Sequence, residues 1–546
     1  VSLNPETQKY VSRMSLYLGL DVGTQSTKAI IIDSRQDYTI VGRGSHPHFL
    51  ITSPDRPNQA EQHPSQWTDA ILSSVKQAIT GLDPSQIAAI AVSGQQHGLV
   101  PLDSNRNIIR PSKLWCDTES SNEAHHLSSL FQDPSLVASF TITKIAWLKN
   151  HEPDSYTKLI NGGLVLLPHD YINYWLTGVE CMEPSDASGT GVFDPVTRTW
   201  ATDRITAIDP KLLAVLPPII PSSLPPQRQS IGTLLPSIAE LLGLPPGIPV
   251  GQGGGDNAMT ALGVGAVHPG RQVIISLGTS GTLFGPSATP VIDPLGVICP
   301  FCDAAGIGGL PLLCTLNCAS AAEEVRIGFG MTREEITQLA TAGSTTGIRA
   351  NSDKDRKQKE CLPSPGCHGI TFLPYFVGER SPNWPHASGA IVGLRPGLMT
   401  PGLLYRAALE GATFSLVAGL DRLREMTRNN DDTITTATTT ASHHKELLLV
   451  GGGSRSALWR RIICDAFQLP LKFPVEPDSA ALGAAYQAAA VGKGVPVAAF
   501  IENHARPAME GEVMQPDESV AAEYREAYER FKKWGGEMFG GRTADL

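Results

Sequence analysis

Leu16-Tyr17-Leu18-Gly19-Leu20-Asp21-Val22-Gly23-Thr24-Gln25-Ser26-Thr27-Lys28 sets the pattern from which the rest of the chain is read. The apolar run Leu16–Leu20 predicts a strand, the polar stretch after it a turn, and Ala29–Ile32 a second strand, as in a hairpin. The pattern returns 250 residues later. Val273–Leu277 is again strand-like and runs into Gly278-Thr279-Ser280-Gly281. The chain thus begins twice with strand, Gly-Thr turn, strand, and a structural duplication with little literal repetition is expected. Between the two lies Gly251-Gln252-Gly253-Gly254-Gly255-Asp256-Asn257, where glycines lack the Cβ atoms that would keep a carboxylate away from a substrate. Two Gly-Thr turns and one accessible acid suggest phosphate cradles around a base, the equipment of phosphoryl transfer.

At 546 residues the chain exceeds what one hydrophobic core organises, so at least two domains are expected. Hydrophobic residues at 41% and charged residues at 18% fit a soluble globular enzyme. The net charge of −10 argues against nucleic acid or an anionic membrane as partner. No uninterrupted apolar stretch approaches a membrane span. Val1–Ser15 lacks the apolar core of a secretory signal. Because the chain starts with Val and carries Met14, a missing organelle-targeting segment, for a plastid for example, stays open beside a cytoplasmic location. The nine cysteines are too sparse for a disulfide scaffold and read as reduced. Cys299, Cys302, Cys314 and Cys318 have a spacing that a structural zinc could use, but their apolar setting favours buried free thiols.

Further elements follow from periodicity. A helix is expected over Trp67–Ile79, then a strand Ile87–Val92 delivering Ser93-Gly94-Gln95-Gln96-His97-Gly98 at its carboxyl end, where open α/β sheets bind ligands. Leu164–Leu167 is expected as a strand and Ala258–Gly263 as a helix. Thr400-Pro401 opens a long helix to about Met426. Leu447–Val450 is a buried strand entering Gly451-Gly452-Gly453, followed by a helix over Ala457–Phe467. Asp478 or Ser479 caps a last small-residue helix, Ala480–Val491, ended by Gly492. Pro217–Pro226 reads as surface loop. Ser352–Lys359 and Asn429–His444 read as disordered insertions. The expected division is a flexible segment 1–14, a first lobe 15–267, a second lobe 268–510 with inserts near 345–365 and 428–445, and a helical tail 511–546.

Taken together, Asp21-Val22-Gly23-Thr24, Gly94-Gln95-Gln96-His97-Gly98, Leu167-Pro168-His169-Asp170-Tyr171, Ser185-Asp186-Ala187-Ser188-Gly189-Thr190, Gly253-Gly254-Gly255-Asp256-Asn257, Ser276-Leu277-Gly278-Thr279-Ser280-Gly281, Leu373-Pro374-Tyr375, Gly378-Glu379-Arg380 and Gly451-Gly452-Gly453 resemble the FGGY carbohydrate kinases, from about Leu16 to Ala490. Each motif is weak alone; the ordered set is specific. Within the family the chain looks most like the bacterial-type xylulokinases. The resemblance implies an α/β fold of two actin-like (ribonuclease H-like) lobes, each a mixed sheet flanked by helices, with an interlobe active-site cleft. ATP would lie against the second lobe and the sugar mainly against the first.

The roles it implies are specific. Asp256 would be the general base, taking the proton of a sugar hydroxyl, and would contact Mg2+ together with Asp21. Gly23 and Thr24, and Gly278 and Thr279, would meet the phosphates. Gly452 and Gly453 would let the chain pass close to adenine and ribose. Gln96, His97, Asp256 and Asn257 would bind the sugar, since imidazole and amide groups both donate and accept. The pairs Gln96-His97 and Asp256-Asn257 are the xylulokinase-like ones, where glycerol kinases of the family carry Arg-Glu and have Gln after the base. The implied reaction moves the γ-phosphoryl group of ATP to the C5 hydroxyl of D-xylulose. Ribulokinase and gluconokinase activity, or a non-catalytic actin-like sugar sensor, are the competing readings, and a homodimer is left open. Taken alone, Asp256 reads equally as a turn or N-cap residue, Asp21 as a hairpin-turn aspartate and His97 as structural. A P-loop is excluded because G-x-x-x-x-G-K-[ST] does not occur. At Leu114-Trp115-Cys116-Asp117-Thr118-Glu119 many relatives have Arg in place of Glu119.

Overall fold

The computed structural model describes residues 15–221, 230–306, 308–341, 363–431, 445–505 and 507–540. The expected amino-terminal segment, nearly all of the two insertions and the end of the proline-rich loop lie outside them.

Two sheets carry the molecule. In the first, β1 (Leu16–Val22), β2 (Ser26–Asp33), β3 (Thr39–Pro47), β4 (Ile87–Gly94) and β5 (Pro249–Gly251) stand in the order β5-β4-β1-β2-β3. β1 runs antiparallel to β2 and parallel to β4; β2 is antiparallel to β3 and β4 parallel to β5. Every residue of β1 is buried, so its apolar run needs no polar face.

The second sheet repeats these five strands, though the outermost strands of the two sheets differ. β6 (Gln272–Leu277), β7 (Gly281–Phe284), β8 (Gly309–Thr315), β9 (Glu446–Val450) and β10 (Leu471–Lys472) stand in the order β10-β9-β6-β7-β8, with the same sequence of parallel and antiparallel pairs. The turns occupy the same place, the first being one residue longer. The Gly23 N–H donates to the Ser26 carbonyl at 3.1 Å, and the Gly278 N–H to the Ser280 carbonyl at 3.0 Å. The duplication expected from the two Gly-Thr runs is therefore present in the topology.

Helices cover the sheets. α1 (Pro64–Ala78) starts with proline at its first turn and buries Trp67, Ala70, Ile71, Ser74, Val75 and Ala78, one face at helical spacing. α2 (Asp256–Gly263) begins at the expected base itself, two residues earlier than its apolar pattern suggests. α3 (Pro401–Asp431) crosses the second core. By length and by a mean hydropathy of 1.2 in an 18-residue window within Pro401–Thr427, α3 is long and apolar enough to span a membrane, a measure the sequence reading did not flag. With 89% of its apolar window inside the protein, it is a core helix.

α4 (Ser479–Lys493) corrects the sequence reading in two respects. Gly492 does not end it; the left-handed residue is Gly494, at φ 66°. Gly492 is glycine for packing, since a Cβ there would come within 2.7 Å of the Tyr17 ring. Asp478 occupies the N-cap position without a side-chain capping bond, because its carboxylate pairs with Lys28 Nζ at 2.8 Å. α4 comes late in the sequence yet lies on the first sheet. Gly19 in β1 leaves room for it: a Cβ there would sit 2.2 Å from the Ala481 carbonyl oxygen. α2 and α4 also cross glycine to glycine, where a Cβ on Gly263 would meet the Ser479 carbonyl oxygen at 1.8 Å and one on Gly483 the Met259 carbonyl oxygen at 1.9 Å.

Candidate active site

The first Gly-Thr turn is held by side-chain amides. Thr24 Oγ1 donates to Gln95 Oε1 at 3.0 Å and accepts from Trp115 Nε1 at 3.0 Å. Gln62 Nε2 donates to the Thr24 carbonyl at 2.7 Å, while Gln62 Oε1 accepts from Gln95 and Trp67. Asp21, the penultimate residue of β1, lies beside this turn, buried, and accepts from Ser93 Oγ at 2.8 Å. Burial pushes its carboxyl above the ordinary range, with the Lys28 charge opposing.

Asp256 stands at the start of α2, after a chain approach that only glycines permit. A Cβ on Gly255 would lie 2.4 Å from Gln96 Nε2, and Gly253 takes φ 76°. One carboxylate oxygen of Asp256, Oδ1, accepts from the Asn257 N–H at 2.8 Å and from Asn257 Nδ2 at 3.0 Å. Asn257 Nδ2 also reaches Gln96 Oε1 at 2.9 Å, which leaves the Gln96 amide free to donate. Burial first, then the nearby Asp21 charge, push the Asp256 carboxyl up to about 7. Beneath the loop, the Gly255 N–H donates to Ser185 Oγ at 3.3 Å, and Ser185 donates on to Glu183.

His97 sits at the end of the neighbouring strand with φ 65°. Its Nδ1 lies 3.1 Å from the Gly189 carbonyl. A carbonyl only accepts, so Nδ1 carries the proton and Nε2 is left as an acceptor. Burial, then the Arg380 and Lys144 charges, hold the ring well below its ordinary pKa and therefore neutral. Phe140 stacks on it at 5.4 Å between centroids.

These residues meet the second lobe around a cavity of about 190 Å³, whose wall includes Gln96, His97, Asp256 and Asn257 from one side and Ser276, Gly278, Ser280 and Arg380 from the other. Asp21, Gly23, Thr24, Thr279, Gly452 and Gly453 are not in that wall. Thr24 reaches it through Trp115, which is, and Thr279 directly follows Gly278. Gly453 has a packing reason for being glycine, since a Cβ would meet Leu277 and Trp459 within 2.8 Å, whereas Gly452 faces open space. The glycine of that trio with an unusual conformation is Gly451, at φ 84° against the Leu277 backbone.

Matches to known sequences agree with this geometry. The sequence pattern of the FGGY family of carbohydrate kinases, N-terminal domain, matches residues 16–263, and that of its C-terminal domain matches residues 273–491. The chain belongs to the FGGY family of carbohydrate kinases. Among its relatives, the xylulose kinase of Haemophilus influenzae is 34% identical over 94% of this chain and 98% of that protein. The xylulose kinase of Streptomyces rubiginosus is 36% identical over 74% of this chain and 76% of its own length. Of solved structures, the xylulose kinase from Bifidobacterium adolescentis superposes with a TM-score of 0.74 at 30% identity, covering 94% of this chain and 99% of that one.

The donor set of this FGGY kinase fits a hard divalent cation. Asp21, buried, and Asp256, half-buried at the cavity wall, are two carboxylates whose repulsion raises the proton affinity of Asp256, and oxygen-only ligands suit Mg2+. Zinc at the four cysteines does not fit. Among the described residues, the clusters of three or more ligating side chains close enough to share one ion are His169, Asp170 and Asp186, and Glu61, Asp117 and Glu119. The latter three surround the Lys113 ammonium, which fills the place an ion would take. Glu119 itself forks onto Arg56 at 2.7 and 2.6 Å, so in this chain the position serves a local charge network. Sequence reasoning missed Trp115, Gln62, Gln95 and Arg380 as site residues. Gln95, Trp115 and Arg380 lie inside stretches it had singled out, but nothing local marks which member of a motif serves the cleft.

Proposed function

We propose that this chain is a xylulokinase, transferring the γ-phosphoryl group of ATP to the C5 hydroxyl of D-xylulose to give D-xylulose 5-phosphate. The observation that carries the reading is the convergence in one cavity of Asp256, Asn257, Gln96 and His97 with Gly278 and Ser280 of the second glycine turn. Two of the relatives described above, both named xylulose kinase and each covering 94% of this chain, support the choice of sugar.

Asp256 accepts the proton of the attacking hydroxyl through the oxygen not engaged by Asn257, so the oxygen gains nucleophilicity as it bonds to phosphorus. Asn257 holds the carboxylate in one orientation. His97 Nε2 accepts a second sugar hydroxyl and Gln96 Nε2 donates to a sugar oxygen. Backbone amides of the two glycine turns face the phosphates, with Thr24 and Thr279 beside them and Gly452 and Gly453 near the nucleoside. Mg2+, held by Asp21 and Asp256, would neutralise phosphate charge. Closure of the lobes keeps water from competing as acceptor.

The test is ADP release by purified protein across a panel of pentuloses and aldonates. D-xylulose should give the highest kcat/KM. Preference for a ribulose or gluconate would replace the sugar assignment, and nucleotide binding without sugar-dependent ADP release would point to a sensor.

A further inference from the structure

Among the described residues, Arg380 is the one charged side chain that the second lobe contributes to the cavity wall. Its loop is fixed independently of the guanidinium. Gly378 takes φ 75°, and its carbonyl accepts from Asn317 Nδ2 at 2.6 Å. The adjacent Glu379 carboxylate is spent on other donors: Leu316 N–H at 2.7 Å, the Arg380 N–H at 2.8 Å and Asn317 Nδ2 at 3.2 Å. What remains for the half-buried guanidinium is soft. Its Nη2 lies 3.4 Å from Cys299 Sγ, and its carbon lies 5.9 Å from the centre of the Phe140 ring. Among the described residues no carboxylate comes within ion-pair distance of it. Sulfur accepts weakly, and a guanidinium withdrawn from water without oxygen partners is costly. The arginine is thus fixed by its loop, permanently charged and short of oxygen acceptors, and it faces a cavity whose opposite wall is made of sugar-binding groups.

We infer that Arg380 is a sugar-positioning residue of the second lobe, its planar fork donating to oxygens of the bound ketose from the side opposite Gln96, His97 and Asn257. The inference rests on the reading of the cavity as a sugar-kinase site. Phe140 joins the two sides, since it stacks on His97 and also lies beneath Arg380. A sugar bridging first-lobe amides and a second-lobe guanidinium binds best when the lobes are together, so its own affinity favours closure.

The experiment measures D-xylulose binding by calorimetry without nucleotide, then steady-state kinetics, for wild type, Arg380→Lys and Arg380→Ala. The expected result is a Kd and KM for D-xylulose raised at least tenfold in Arg380→Ala, with an ATP KM within twofold of wild type. Added guanidinium ion should partly restore turnover in Arg380→Ala, which a structural role would not allow. Arg380→Lys, which keeps charge but loses the fork, should fall between, and it decides the question if Arg380→Ala does not fold. Wild-type affinity for D-xylulose in the folded variants, or a defect confined to the ATP KM or to kcat, overturns the inference. Wild-type protein that binds no ketose overturns the sugar-kinase reading itself and this inference with it.

Discussion

Gln487, fully buried on α4, forms a two-pronged hydrogen bond with the backbone of Gly253: its Oε1 accepts from the Gly253 N–H at 2.8 Å and its Nε2 donates to the Gly253 carbonyl at 3.1 Å. The pair joins the far end of the sequence to the loop three residues ahead of Asp256. The amide satisfies both groups at once, which a carboxylate, acceptor only, does not. Gln487→Glu keeps the size but places an acceptor opposite the Gly253 carbonyl, and Gln487→Leu leaves both backbone groups unpaired at roughly 1–3 kcal/mol for each unsatisfied group. Both variants should lower Tm, and kcat should fall more than the KM for ATP changes; thermal melts and steady-state kinetics check this.

Asp256→Asn preserves the volume of the side chain and most of its contact with Asn257 while removing its basicity. Sugar affinity by calorimetry should stay within a few-fold of wild type, while kcat drops by about 10²–10⁴. Wild-type-like turnover would remove Asp256 from the mechanism.

The same carboxyl sets a pH limb. Its proton affinity is raised by burial and then by Asp21, up to about 7, and only the deprotonated form accepts a proton. Activity is therefore full above that value and lost as pH falls through it, well above the pH at which an exposed aspartate would titrate. A cation shared with Asp21 favours the charged form, so raising Mg2+ from limiting to saturating should move the limb of the kcat/KM profile toward acid.

At the crossing of α2 and α4, a methyl group on either glycine strikes a backbone carbonyl at under 2 Å. Backbone cannot swing aside as a side chain can, so Gly483→Ala and Gly263→Ala should each cost ~1–3 kcal/mol or more. Gly494→Ala, beyond the helix end with open space around it, meets no such contact and pays only for its left-handed backbone. Denaturant unfolding of the three variants should rank them accordingly.

Glu119→Arg tests the charge network of Arg56 and Lys113, whose cations lie 5.6 and 3.8 Å from the centre of the Trp147 ring. The substitution places a cation against Arg56 and the buried Lys113, leaving Glu61 and Asp117 to balance all of them. A loss of about 2–4 kcal/mol is expected, between the values for exposed and buried pairs. Adding Arg56→Glu should recover part of it in a double-mutant cycle.

The two hairpins, the turns at Gly23 and Gly278 and the base loop were legible in the sequence because each is local: an apolar run, a glycine and a polar residue suffice to announce it. The strand order was reachable only through the family pattern, since parallel partners such as β1 and β4 lie some 70 positions apart. Arg380 was quoted within a motif but not assigned a role, because its importance depends on the neighbouring Glu379 being engaged elsewhere. Gly492 misled for a related reason. Near the end of a helix glycine normally signals a stop, yet here the Tyr17 ring demands it, and the helix continues until the next glycine.

Because α4 completes the first sheet from the last fifth of the chain, the molecule is interwoven rather than beaded. During synthesis the strand Leu16–Val22 leaves the ribosome with Gly19 facing nothing, and it must wait for Ser479–Lys493 before that side is sealed. Cutting this protein between its two matched domains would yield no pair of independent modules, but two halves each missing a wall.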